Sequence, residues 1–61
     1  MNKHVIGVDP NGILRVHYDH EDEKEAFKGA RRTAEAFIQE HSGLDPINHW
    51  RFYLVVNEER S

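Results

Sequence analysis

The sequence predicts an α+β domain in the order strand, strand, helix, strand, and three observations carry that expectation. A turn signal, Asp9-Pro10-Asn11-Gly12, separates two runs rich in β-branched residues. A stripe at helical spacing, made of Phe27, Ala30, Ala34, Phe37, Ile38 and His41, faces away from Lys24, Glu25, Lys28, Arg32, Glu35 and Gln39. A third run, from His49 to Asn57, alternates along its length.

The first strand is Lys3 to Val8, whose β-branched and nearly continuous apolar character suits a central position. In the turn that follows, Pro10 presets φ for a type I turn, and Asp9 bonds back to the backbone. Gly12 accepts the left-handed conformation. The returning strand, Ile13 to Tyr18, is expected to direct Leu14, Val16 and Tyr18 to one side and Ile13, Arg15 and His17 to the other.

Carboxylates then accumulate where a helix would begin. Asp19 with Asp22, or Asp22 with Glu25, forms a capping pair that the helix dipole favours, placing the start between His20 and Glu23. Gly43 suits the stop, with Leu44 folding back on Ile38. Pro46 forbids continuation, so Leu44 to Asn48 is a connection. The last strand would place Trp50, Phe52, Leu54 and Val56 on one side and His49, Arg51, Tyr53 and Val55 on the other.

A helix of about 20 residues is roughly 30 Å long and must lie across one side of the sheet. A third strand beside the first gives a three-stranded antiparallel sheet of order 2-1-3; beside the second it would be parallel, with a right-handed crossover. The antiparallel order is favoured because it makes the most apolar strand central. The expected core is Ile6, Val8, Leu14, Val16, Trp50, Phe52, Leu54 and Val56 against the helical stripe.

Sixty-one residues make a single domain, with 58–61 expected as a frayed tail. Such a chain buries only about 60% of the surface exposed on unfolding. With no cysteine, disulfides and thiolate-zinc sites are excluded. The composition has no stretch of bilayer-spanning length, so a cytoplasmic protein without a membrane partner is expected. The net charge of −3 argues against a general polyanion binder.

One helix leaves the other side of the sheet open, and that side carries the functional expectation. Arg15, His17, Arg51, Tyr53 and Val55, with Val5 and Ile13 beside them, mix apolar, aromatic and basic groups in the manner of interfaces. The leading expectation is a small non-enzymatic protein-interaction module, a regulator or inhibitor of a larger protein or a homodimer. The bland alternative is a solvated sheet surface of the kind antiparallel sheets tolerate.

Single-stranded nucleic acid is the second reading, with Tyr53 stacking a base and Lys3, Arg15 and Arg51 meeting phosphates. Lys24, Lys28, Arg31 and Arg32 also form a basic ridge, but Glu21, Glu25 and Glu35 lie within pairing distance along the helix. A divalent-metal protein is the third reading, since His17, Asp19 and His20 adjoin Glu21, Asp22 and Glu23. The spacing implies no convergence on one point, so no metal ligand and no cofactor is assigned.

Ile6-Gly7-Val8-Asp9-Pro10 resembles the first strand of ribonuclease H-type nucleases, in which an aspartate at a strand end helps hold a metal. That fold needs further carboxylates on strands this chain has no room for, so Asp9 is read as a turn former. Nucleophile arrangements and phosphate-cradling glycine loops are absent, and no enzymatic activity is expected.

Overall fold

The computed structural model describes residues 2–41 and 46–55. It contains β1 (Lys3–Val8), β2 (Leu14–His20), α1 (Glu23–His41), a 3-10 turn (Ile47–His49) and β3 (Arg51–Val55). The sheet is antiparallel with spatial order β2-β1-β3, and α1 packs against one side, mainly over β1 and β2. The favoured topology is therefore the one observed. The helix stop at Gly43 and Leu44, the position of Val56 and the tail 58–61 lie outside the described residues.

The hairpin turn forms as its residues dictate. The Gly12 N–H donates to the Asp9 carbonyl at 2.9 Å, and the Asp9 N–H donates to the Ile13 carbonyl at 2.9 Å. Gly12 has φ +86°, the left-handed conformation that glycine adopts without steric cost.

Strand sidedness differs from expectation in two places, and both have a physical cause. On β1, Val5 pairs with Tyr18 and Leu54, and Gly7 with Val16 and Phe52. Val5 and Val16 are buried with Ala26, Ala30, Ala34, Ile38 and Trp50, so Val5 rather than Ile6 and Val8 faces α1. The missing side chain at Gly7 is compensated by Phe52 from the neighbouring strand: a Cβ on Gly7 would lie 2.8 Å from Phe52 Cε1 and 3.1 Å from Val16 Cβ. An aromatic ring fills the space left by the glycine.

On β2 the alternation is interrupted. Gly7 stands opposite Val16 but Val8 stands opposite Leu14, which leaves Arg15 as an extra residue, a β-bulge. The bulge moves Leu14 out of the expected core to the side of Val8, where it is 55% exposed. It also turns Arg15 toward α1, with its guanidinium carbon 5.4 Å from the centre of the Phe37 ring. Two expectations, Leu14 in the core and Arg15 on the open side, are corrected by this one inserted residue.

Helix α1 starts at Glu23 because Asp22 caps it, the Glu25 N–H donating to Asp22 Oδ2 at 3.0 Å. His20 Nδ1 accepts the Asp22 N–H at 3.0 Å, which steers the chain into the cap. The buried seam is Ala26, Gly29, Ala30, Ala34 and Ile38, smaller than the expected stripe, with Phe27 and Phe37 only half-buried at its margins. Small side chains let the helix backbone approach the sheet, and Tyr18 lies directly against Gly29.

His49 belongs to a 3-10 turn rather than to the last strand, since Pro46 starts a tight turn in which the His49 N–H donates to the Pro46 carbonyl at 3.0 Å. Trp50 then enters the core, edge-on to Phe37 at 5.9 Å and stacked on Phe52 at 6.5 Å between ring centres. Burying a Val, Ile or aromatic side chain of this kind contributes about 1.5–3 kcal/mol each.

Candidate functional site

The uncovered side of the sheet presents a chemically varied surface. Strand register places His4, Ile6 and Val8 of β1 between Leu14, His17 and Asp19 of β2 and Arg51, Tyr53 and Val55 of β3. Leu14, Tyr53 and Val55 are each more than two-fifths exposed, an apolar content that calls for explanation on a small domain. Among the described residues, nothing packs over this side.

Of the residues expected there, His17, Arg51, Tyr53 and Val55 are on the open side. Arg15 is not, because the bulge carries it to the helix. Val5 is in the core. Lys3 shares the side of Val5 and Gly7 by strand alternation, so it does not join Arg51 and Tyr53 either. The four residues grouped for nucleic-acid binding are thus divided between the two sides of the sheet. On the helix ridge, Lys28 lies 3.8 Å from Glu25 and Arg31 lies 3.6 Å from Glu35, each cation beside a carboxylate.

Arg15 instead completes a polar knot at the hairpin. Its Nε donates to Asp9 Oδ2 at 3.1 Å, while Asp9 Oδ1 accepts the N–H groups of Asn11 and Ile13, both at 2.9 Å. The Ile13 N–H is the main influence holding the Asp9 carboxyl below its ordinary pKa of 3.8, aided by Arg15 and Asn11 against the opposing effect of burial. Asp9 is 7% exposed, a buried carboxylate whose bonds are all local. Close by, Trp50 Nε1 is buried without a hydrogen-bond partner among the described residues.

At the opposite end of the β1–β2 pair, three side chains converge. His4 Nδ1 donates to Asp19 Oδ1 at 2.7 Å, and His17 Nε2 lies 2.9 Å from the same oxygen. The imidazole rings are 5.6 Å apart and tilted by 44°. Sequence reasoning grouped His17 and Asp19 with His20, but His20 is occupied by the helix cap. The missed member is His4. The bulge at Arg15 shifts the register so that His4 pairs with Asp19 and His17 lies two residues away on the same side; counting back from the turn without it would pair His4 with Tyr18, so the sequence carried no signal for this member.

No protein-family model matches the sequence, and no curated protein or solved structure shows significant similarity to it. Among the described residues, no helix is long and apolar enough to cross a membrane.

Proposed function

We propose that the chain is a non-enzymatic protein-interaction module whose partner is a second copy of itself, joined along the outer edge of β3 and extending the open side of the sheet. The observation that carries this reading is the uncovered side itself, with Leu14, Tyr53 and Val55 exposed beside Arg51 and His17. Tyr and Arg beside aliphatic groups are the composition of interface cores.

The two sheet edges are not equivalent. β2 carries a bulge, which discourages strand addition, whereas β3 is regular over Arg51–Val55 and contains neither proline nor lysine. An antiparallel β3–β3 contact would make one six-stranded sheet of two copies. Single-stranded nucleic acid is the lesser reading, since Lys3 and Arg15 lie on the helix side of the sheet and leave Arg51 alone of the three cations beside Tyr53.

Sedimentation at about 100 μM is expected to show a dimer that weakens at least tenfold in the Tyr53→Lys, Val55→Lys variant. Both positions are exposed, so the variant keeps its fold. A strictly monomeric wild-type protein, or equal association of a folded variant, overturns the reading. Oligonucleotide retention that falls steeply with salt and is lost in Arg51→Glu would favour nucleic acid instead.

A further inference from the structure

We propose that His4, His17 and Asp19 form a zinc site on the β1–β2 pair, with three protein ligands and one position open to water or to a donor from outside. The ligand atoms, His4 Nδ1, His17 Nε2 and an Asp19 carboxylate oxygen, lie within 4.8 Å of one another. Two imidazoles and one carboxylate are a recurrent donor set for zinc in sites that keep a fourth position free.

The geometry needs little adjustment. Zn–N and Zn–O distances near 2.1 Å set tetrahedral ligand atoms about 3.4 Å apart. The two imidazole nitrogens stand 2.7 and 2.9 Å from Asp19 Oδ1. Admitting the ion opens these contacts by about 0.5–0.7 Å and sets the two nitrogens at the same spacing, changes that χ rotation of exposed side chains supplies without moving the backbone.

Placement adds to the donor set. All three residues sit on paired strands whose register is set by the Asp9–Gly12 turn together with the Arg15 bulge, so the ligands are held by a hairpin rather than by a loop. His4 and Asp19 are direct cross-strand partners, and His17 is diagonal to His4. The side chains are 36%, 42% and 56% exposed for His4, Asp19 and His17, enough for an ion to enter from solvent. Bound zinc would replace the hydrogen-bonded proton between His4 and Asp19 and clamp β1 to β2 at the end remote from the turn.

His4 is the cross-strand neighbour of Val55 on β3, so zinc binding is measured on the unsubstituted chain, and the ligand variants rather than the β3 variants decide it. The test is zinc titration of the full chain followed by calorimetry and by the ring-proton NMR signals of the histidines. The expected result is one zinc per chain, with the His4 and His17 signals moving and those of His41 and His49 unmoved. The melting temperature should rise by about 10 °C or more when free zinc is 100-fold above Kd.

Asp19→Asn and His17→Gln should each weaken binding at least tenfold, whereas His49→Ala should leave it unchanged. Absence of saturable binding up to about 1 mM zinc overturns the proposal. So does equal affinity of the folded Asp19→Asn variant, or a response spread evenly over all the histidines, which would leave the three residues as a hydrogen-bonded cluster only.

Discussion

Gly29→Ala is expected to destabilise the domain by about 1–3 kcal/mol, although alanine is the better helix former by about 1 kcal/mol in an exposed position. The reason is steric. Gly29 is buried on the sheet-facing seam of α1, and a Cβ there would occupy the space of the Tyr18 ring. Either the ring leaves its packed position or the helix lifts from β2, and the second also loosens Ala26 and Ala30.

A double-mutant cycle separates this cause from a general intolerance of the helix. In a Tyr18→Ala background the obstacle is gone, and Gly29→Ala should become neutral or stabilising by up to about 1 kcal/mol. Urea unfolding of the four proteins reads the coupling directly. Equal losses in both backgrounds would show that Tyr18 is not what the glycine accommodates.

Asp9→Ala is expected to cause the largest loss of any single polar substitution, a fall in melting temperature of about 10 °C or more. It removes the acceptor of two turn N–H groups and of Arg15 at once, leaving the Ile13 and Asn11 donors unmatched beside a partly covered guanidinium. Asp9→Asn keeps one acceptor and the shape, so its loss should be smaller.

The pH dependence follows from the lowered Asp9 pKa. Because the folded carboxyl titrates below its unfolded value near 3.8, its contribution is fully present above that value and is lost as pH falls through the folded pKa. The stability gap between wild type and Asp9→Asn should therefore be constant above about pH 5 and close as the pH drops below about 4. A gap that persists unchanged to pH 2 would contradict the assigned bonding.

The hairpin, the capped helix and the strand order were legible because each rests on local chemistry: a proline and a positive-φ glycine in the turn, a carboxylate at the helix start, an alternating last strand. Sidedness was less legible. β1 has no alternation to read, since Val5, Ile6 and Val8 are all apolar and Gly7 offers no side chain, so only its partners reveal that Val5 and Gly7 face α1. The bulge at Arg15 has no sequence signature of its own. It is a tertiary choice, rewarded by the Asp9 ion pair and by the Phe37 ring beneath the guanidinium. The His4–Asp19–His17 group needed that same register, which links residues 15 positions apart.

The bulge also decides where this chain tolerates a change of length. Removing Arg15 alone would make Leu14 and Val16 consecutive in an uninterrupted ladder, each still pointing where it points now, at the cost of the Asp9 and Phe37 contacts. A deletion between Val16 and Asp19 would instead exchange inside for outside on part of the strand, drawing a charged or imidazole group beneath α1. A single-residue deletion in β2 should therefore be survivable at position 15 but not between Val16 and Asp19.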